Sequence, residues 1–563
     1  MNRLSISRLS IAMCVALGLG MPLAPQEPPG DLPGVFSEVL DVRVVNLEVV
    51  VTDKSGIPLR GLRVDDFSLT VDGEEVPIEY FSEIRSGVVA PLSAEQKELG
   101  IAESPALIPG EPIETSYLVF IDELFGIARD RNKVLQNLRE QIARMGPEDR
   151  MAIVAYNGKE LAMLTTWSQS VPELERVLEK AKERPVHGLR RLAEQKQHDY
   201  DRLLRASLEI RTNRLNSQAF IQTDLDPNER FFLERLTEQI QSSVTAATMT
   251  LRSFAMPPGR KVMLLYSGGW PYFPVSFLGP LVSPIVQASD TERGPALFRP
   301  LTDTANLLGY TLYPVDMPGF HDLTTQGVDR WSTPALDLPI DTGFNQFRLE
   351  QELHYSLVFL AEETGGRAFI NAERLTAFED MVSDTRSFYW LGFSPHRDWD
   401  DQRHEVKVRV KEPSFRVRSR SSFLDSSKQH EVDMVLESSL LFGSPPGPQQ
   451  LRVEVGEPRR KGRKKMEVPL SVLFPLTEVT FLPEGNDLVT GLELRVNVRD
   501  EEGRRAEIPM VPMMLKIQDD PRPGAYGRFD TNLLLRRQSH EAAVGVYDPA
   551  SGRIFSSIVQ ISP

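Results

Sequence analysis

The sequence predicts a mixed fold: a doubly wound parallel α/β sheet inserted into one β-sandwich and followed by a second. Tyr117 to Ile121 is an unbroken apolar run that stops at Asp122, as is typical of a buried strand in a parallel sheet. Strand and helix patterns then alternate to about residue 384, and strand patterns lie on both sides of this region. Ligands of open α/β sheets bind at the carboxyl edge of the strands, so Asp122 marks the first place to look for function.

Composition limits the classes of function. A chain of 563 residues is too long for one core and predicts several domains. A hydrophobic fraction of 41% with 25% charged residues is ordinary for a globular protein. The formal net charge of -15 argues against a general affinity for phosphate backbones, so we expect no nucleic-acid partner.

The first residues indicate export. Residues 1–25 combine Arg3 and Arg8 with an apolar stretch from residue 11 to 23 and a Pro-rich exit, the pattern of a secretory signal peptide. We therefore expect a secreted or periplasmic protein without a transmembrane domain after cleavage. An uncleaved membrane anchor is the alternative, because Pro25 blurs the cleavage site. The single cysteine, Cys14, lies in this stretch, so cleavage would leave no disulfide and no catalytic thiolate.

The domain boundaries follow from the patterns in order. Strand patterns around 42–52 and 67–71 are too few for a domain alone, so we expect the strand patterns of 387–421 to complete their sandwich. The prediction assigns 36–85 to the first part of the N-terminal β-sandwich, 86–115 to a connector, 116–384 to the α/β domain with a helical insertion at 188–255, 386–424 to the second part of the sandwich, and 425–563 to an all-β C-terminal sandwich.

Within the α/β domain each apolar period predicts one element. Strands are expected at 117–121, 151–156, 161–167, 262–266, 310–315 and 367–370, and helices at 131–144, 171–182, 303–308, 348–363 and 375–382. The segments 270–300 and 317–344 show no sustained period and are predicted to be long irregular loops at the carboxyl edge of the sheet.

Several short motifs, in this order and spacing, resemble those of a von Willebrand factor A (VWA) domain. They are Asp122 ending a strand, Pro147-Glu148-Asp149-Arg150, Gly259-Arg260-Lys261 before Leu264-Leu265-Tyr266-Ser267-Gly268-Gly269, and Tyr313-Pro314-Val315-Asp316. Residues 49–56, 65–67, 363–367 and 389–395 resemble the acidobacterial VWA-related family, and the likeness covers about residues 36–424. It implies a Rossmann-like VWA sheet inserted in an Ig-like sandwich, followed by a C-terminal Ig-like sandwich.

The resemblance also implies a site for Mg²⁺ or Mn²⁺, built from an Asp-x-Ser-x-Ser loop, a distant Thr and a further Asp. Leu124 and Gly126 stand at the two serine positions, and Ser267-Gly268-Gly269 lacks the second carboxylate. Only Asp122, Glu123 and Ser267 remain as candidate ligands, too few for octahedral Mg²⁺. We therefore expect a degenerate site without a cofactor, in which Asp122 bonds loop amides or caps the next helix; a residual Mg²⁺ or Mn²⁺ site is the alternative.

The two predicted loops carry aromatic residues that suit protein recognition. The candidate partner-binding residues are Trp270, Tyr272, Phe273, Phe277, Phe320 and Trp331. An equally weighted alternative is that they fold back and cover the sheet edge. The basic run 459–465 could contact anionic lipid or polysaccharide, but a solvated hairpin loop is the favoured interpretation.

No catalytic signature appears, since the eight histidines are scattered and no Gly-x-Ser-x-Gly elbow follows the signal segment. We therefore predict no catalytic residues and no enzyme. The favoured hypothesis is an exported adhesion or scaffolding protein that binds a protein partner in the cell envelope. The alternatives are a metal-dependent adhesion module centred on Asp122 and a hydrolase with an unrecognised site. The oligomeric state is not predicted.

Overall fold

The structure of the chain, a computed structural model, describes residues 44–91, 102, 107–211, 225–254, 259–278, 294–317, 342–395, 402–424, 428–442, 451–484, 487–501, 504–518, 520–551 and 553–563. The expected signal segment lies outside these residues. Among them, no helix is both long and apolar enough to cross a membrane.

The first strands are short and follow one another closely. They are β1 Val45–Thr52, β2 Phe67–Val71, β3 Glu74–Glu75, β4 Tyr80–Arg85 and β5 Val88–Ala90, with a 3-10 turn at Val64–Asp66.

Strands and helices then alternate. The elements are β6 Thr115–Asp122, α1 Ala128–Gln141, β7 Arg150–Tyr156, β8 Leu161–Ser168, α2 Val171–Ala181, α3 Gly188–Arg211, α4 Pro227–Ser253, β9 Arg260–Ser267, α5 Gly294–Leu308, β10 Tyr310–Asp316, α6 Thr342–Glu363 and α7 Ala377–Thr385, with 3-10 turns at Ile142–Arg144, Pro274–Leu278 and Asn371–Leu375.

The remaining elements return to strands, with one helix among them. They are β11 Phe388–Phe393, β12 Arg403–Val410, β13 Arg416–Arg418, β14 Ser422–Leu424, α8 Lys428–Phe442, β15 Arg452–Val455, β16 Arg459–Lys461, β17 Lys465–Pro475, β18 Leu482–Glu484, β19 Asp487–Asp500, β20 Arg505–Glu507, β21 Val511–Ile517, β22 Tyr526–Arg536, β23 His540–Asp548 and β24 Arg553–Ile561, with a 3-10 turn at Leu476–Glu478.

A five-stranded sheet of order β10-β9-β6-β7-β8 forms the centre of the α/β region. The first four strands run parallel, and β8 is antiparallel to β7. All eight residues of β6 are buried, as its apolar run predicts. Successive β6 side chains enter opposite cores: Leu118 and Phe120 pack with α4, α5 and α6, whereas Val119 and Ile121 pack with α1, α2 and α7. The register Asp122↔Tyr156 and Asp316↔Ser267 brings these strand ends to one edge.

Two further sheets enclose a common core and draw their strands from both sides of the α/β region. One has the order β13-β1-β11-β4-β5 and the other β14-β12-β2-β3. Their facing side chains include Leu47, Leu69, Tyr389 and Val408. Buried Arg260 of β9 ties the α/β sheet to β1 and β11 of the first of these sheets, because its Nε lies 2.9 Å from Glu48 Oε2 and its guanidinium lies over the Phe388 ring at 4.1 Å.

The C-terminal region contains two sheets and one helix. In one sheet, strand β17 pairs with β15, β16 and β22. In the other, β19 pairs with β18, β20, β21 and β23, and β23 also pairs with β24. The prediction of an all-β segment from residue 425 is wrong at α8. Val432, Leu436 and Leu440 recur every four residues and pack on Ala543 and Tyr547, so an apolar helical face covers β23.

A second correction concerns the segment predicted as irregular up to Pro300. Helix α5 begins at Gly294 and includes Pro300, whereas the sequence predicted a helix only from Asp303. Helix α5 buries Leu297, Phe298 and Leu301 against the central sheet. The free energy gained by this packing exceeds the cost of the helical hydrogen bond that Pro300 cannot donate.

Candidate functional site at the carboxyl edge of the central sheet

The carboxylate of Asp122 accepts four hydrogen bonds. Its Oδ1 accepts from the backbone amides of Leu124 at 3.0 Å and Phe125 at 3.3 Å. Its Oδ2 accepts from Ser267 Oγ and Trp270 Nε1, both at 2.8 Å. The expected bond to loop amides is therefore present, while the cap of the next helix is absent, since α1 begins after Ile127. Each oxygen already has two donors, so a cation could reach neither without displacing them.

The electrostatics of Asp122 follow from its burial. The residue is completely inaccessible to solvent, and burial raises the pKa of its carboxyl group, while the bonds from Trp270 and Ser267 act in the opposite direction. All four donors are neutral groups. Three of them, the two amides and the indole, can only donate, which favours the ionised form of the carboxyl group.

Two glycines let the loop after β9 reach Asp122. A Cβ on Gly268 would lie 2.5 Å from the carbonyl oxygen of Phe125, and Gly269 has φ of +81° with Leu353 O 2.8 Å from its would-be Cβ. The position where the VWA resemblance implies a metal carboxylate thus has no room for a side chain. The turn instead brings in Trp270, whose backbone amide donates to Ser356 Oγ of α6 at 3.1 Å.

Glu123 does not join Asp122 and Ser267 in one group of possible metal ligands. Its carboxylate forms a two-point ion pair with Arg184, from Nε to Oε1 at 2.7 Å and from a terminal nitrogen to Oε2 at 3.1 Å. Arg131 lies 3.5 Å away and donates to the carbonyls of Arg184 and Lys182. Burial raises the pKa of Glu123, opposed by these two arginines. Of the three predicted metal ligands, the structure brings together Asp122 and Ser267 and commits Glu123 to an ion pair.

Asp316, at the end of β10, is also engaged. Its Oδ2 lies 3.5 Å from Arg374 and 3.8 Å from His354 Nε2. Within the ranges that the structure describes, no three His, Cys, Asp or Glu side chains are grouped so that they could hold a metal ion.

The predicted aromatic surface is partly in the interior. Trp270 is 0% exposed and its ring packs at a tilt against Phe298, with the ring centroids 5.8 Å apart, and Phe277 is buried in the same core. Both residues fill the space above the sheet, as the alternative expectation of aromatics that fold back has it, and the structure corrects their assignment as partner-binding candidates. Tyr272 and Phe273 are half-buried. Phe320 and Trp331 lie outside the described residues.

With this geometry in place, comparison with known proteins adds little. No family model matches the chain, and no curated protein matches it. Among solved structures, the TFIIH p34 N-terminal domain matches over 48% of this chain and 97% of its own, with 11% identity and a TM-score of 0.18. Human COPII-coat protein Sec24c matches over 80% and 44%, with 10% identity and a TM-score of 0.20. The pilus adhesin SpaC from Lactobacillus rhamnosus GG matches over 75% and 52%, with 6% identity and a TM-score of 0.23. Scores this low support no conclusion about fold or function.

Two exposed aromatic residues that sequence reasoning missed lie beside the half-buried ones. Phe231 on α4 is 65% exposed and Tyr355 on α6 is 54% exposed. The ring of Tyr272 contacts Phe273 at 4.9 Å and Tyr355 at 6.4 Å, and Phe273 packs in one cluster with Phe232. We call Phe231, Phe232, Tyr272, Phe273 and Tyr355 the aromatic strip. The sequence does contain a signal for this exposure. On α4, Phe231 lies off the helical face formed by the buried Leu233, Leu236 and Ile240, and on α6, Tyr355 lies off the face formed by the buried Leu353, Leu357 and Leu360.

One end of the aromatic strip carries positive charge. Phe231 and Phe232 line a shallow cavity together with Arg191 and Arg235. Three arginines, Arg190, Arg191 and Arg235, all contact the single carboxylate of Glu194, which leaves two cations in excess in this cluster. This end of the strip can therefore take an apolar group that lies beside an anionic one.

Proposed function

We propose that this chain is an exported protein-binding or scaffolding protein of the cell envelope, with a VWA-like α/β domain whose metal site is degenerate. In this proposal the binding is independent of metal and the chain is not an enzyme. The aromatic strip binds the partner. The signal segment at residues 1–25 directs the chain to the cell envelope, where the partner lies.

The observation that carries the proposal is the exposure of Phe231 and Tyr355 at the two ends of the aromatic strip. Aromatic and arginine side chains supply most of the binding energy in protein interfaces, and the strip combines both. Its half-buried members rest on the core, so they are held in place before a partner arrives and lose little conformational freedom on binding.

The closed surroundings of Asp122 support independence from metal. Four donors occupy the carboxylate, one of them from the buried indole of Trp270. A partner's carboxylate that completed a metal shell would first have to break these bonds and displace that indole. The excess charge at Arg191 and Arg235 offers an alternative anchor, so we expect a partner segment with an acidic residue next to an apolar one.

The test is capture of envelope proteins by the immobilised full chain, in EDTA and in millimolar Mg²⁺. We expect the Phe231→Ala/Tyr355→Ala variant to lose at least tenfold in affinity for the captured protein, in both buffers, because each hot-spot aromatic contributes roughly 2 kcal/mol. The matched control is Tyr526→Ala/Leu534→Ala, which removes two side chains of similar exposure, 56% and 51%, from the C-terminal region.

Three outcomes would contradict the proposal. Equal capture by both variants would place the binding surface elsewhere. Capture that disappears in EDTA and in an Asp122→Ala variant would favour the metal-dependent adhesion module. Turnover of an ester, peptide or glycoside substrate by the purified chain would show that it is an enzyme.

A further inference from the structure

The hairpin between β16 and β17 concentrates positive charge on an acidic protein. Residues 459–465 contain six Lys and Arg residues and Gly462, in a chain of net charge -15. The turn forms at Gly462, whose φ is +80°, and all seven residues are exposed. We call residues 459–465 the basic hairpin. Because side chains on both of its faces reach solvent, it projects from the C-terminal region rather than lying against it.

The strand register places like charges opposite one another. Lys461 of β16 pairs with Lys465 of β17, which in turn pairs with Arg536 of β22. Neighbouring strands lie about 4.8 Å apart, so these cations form a row across three strands. Like charges directly opposite one another destabilise a sheet, so this row is unfavourable for folding alone. An anion bound from outside would relieve the repulsion.

Two of the three cations in the row have an acidic partner within the described part of the chain, and Lys465 has none. Lys461 Nζ lies 2.8 Å from Glu467, and Arg536 lies 3.4 Å from Asp500. Arg459 lies opposite Glu467 in the strand register, so it shares that acid with Lys461. Among the residues that the structure describes, Arg463, Lys464 and Lys465 form no ion pair with an acidic side chain. Residues 457–467 hold six cations and only the acids Glu457 and Glu467, an excess of four positive charges.

We propose that the basic hairpin attaches the C-terminal region to an anionic lipid surface. Attraction to such a surface needs only several cations that approach it together, and clusters of four to eight Lys and Arg suffice. The basic hairpin meets this requirement and has no aromatic platform for stacking nucleic-acid bases. This inference does not depend on the aromatic strip or on the state of Asp122.

The test is co-sedimentation of the full chain with phosphatidylcholine vesicles containing 30% phosphatidylglycerol. The test variant is Arg459→Gln/Arg463→Gln/Lys464→Gln. The matched control is Lys407→Gln/Arg409→Gln/Lys411→Gln, which removes three exposed cations in and next to β12. We expect the test variant to bind about a hundredfold more weakly, the loss that three surface cations produce, and the control variant to bind like the original chain.

Thermal midpoints of both variants that equal the midpoint of the original chain would show that the substitutions leave folding intact. Binding of the original chain should fall steeply from 50 to 500 mM salt, since the attraction is electrostatic. Equal binding to vesicles of pure phosphatidylcholine, an equal loss in the control variant, or binding that survives high salt would overturn the proposal. Binding of the chain to dextran sulfate, a soluble polyanion, at least tenfold more tightly than to the vesicles would also overturn the proposal. The natural ligand of the basic hairpin would then be an anionic polymer.

Discussion

Trp270 donates its indole N–H to Oδ2 of Asp122 across 2.8 Å, although the two residues lie 148 positions apart in the chain. The bond joins the end of β6 to the loop after β9 inside a solvent-free core. The indole contributes both a hydrogen-bond donor and a large apolar surface, and the carboxylate at the sheet edge is satisfied by protein groups.

We expect Trp270→Phe to destabilise the protein by about 1.5–3 kcal/mol, because the change removes a hydrogen bond to a buried acid and keeps most of the aromatic packing. Urea unfolding of both proteins measures the difference. Trp167→Phe is the control, since Trp167 is half-buried and packs edge-on at 5.3 Å against Phe254. Equal losses in the two variants would mean that ring size, not the indole N–H, determines stability.

Millimolar Mg²⁺, Mn²⁺ or Ca²⁺ should leave the thermal midpoint of the chain unchanged relative to EDTA. The reason is that the four donors to Asp122 occupy the positions that a metal ion would need. A specific ion at 100 times its Kd would stabilise the protein by about 2.7 kcal/mol, which a thermal scan detects easily. A rise that Asp122→Ala cancels would show that the loop opens to form a metal site.

Asp199 of α3 should make stability depend on pH. Burial raises the pKa of Asp199 to about 7, partly offset by a hydrogen bond from Gln195 Nε2 at 3.1 Å and by the charge of Arg202. An unfolded Asp ionises near pH 3.9, so folded Asp199 keeps its proton between about pH 4 and 7, and the contribution of Asp199 to stability falls as pH rises through this range. The neighbouring His198, whose pKa burial lowers to about 4, contributes in the opposite direction. Asp199→Asn removes this loss.

The Asp199→Asn variant should match the original chain near pH 4 and exceed it by about 1–3 kcal/mol at pH 8, measured by urea unfolding across the range. Asp201→Asn, at an exposed position on the same helix, serves as the control. A stability difference that is constant with pH, or that favours Asp199 at high pH, would contradict the assignment.

Leu436→Ala should cost about 2–5 kcal/mol, because Leu436 is fully buried between α8 and β23 and its removal leaves a cavity. Leu534→Ala is the control, since the exposed Leu534 should change stability by less than about 0.5 kcal/mol. A loss below about 1 kcal/mol for Leu436→Ala would mean that α8 does not cover the sheet as described.

The sequence carries much of the local structure and little of the site. The run Tyr117 to Ile121 predicts β6, and the structure extends that strand to Asp122. The partners of Asp122 could not be predicted in the same way, since Trp270 reaches it only through the path of Gly268 and Gly269. Such long-range contacts depend on packing, which one-dimensional periodicity does not encode.

Two misassigned elements show the same limit. Helix α8 was visible as the four-residue spacing of Val432, Leu436 and Leu440, but it lies within a segment whose strand patterns dominate. The segment up to Pro300 shows no sustained period, and only the buried neighbours of Phe298 explain why α5 begins at Gly294 and includes Pro300. In both places tertiary contacts override the local preference.

The pairing of β1 sets a delay during synthesis. Both neighbours of this strand, β11 and β13, lie beyond the α/β region, and Val49 pairs with Tyr389, 340 residues later. At 5–20 residues per second, roughly 20–70 s pass before the ribosome delivers that partner. For this time neither edge of β1 can find its native neighbour, and open strand edges pair readily with other chains. Strand β1, although it is made before the α/β region, is therefore among the last strands to be completed, and both of its edges stay open in the interval.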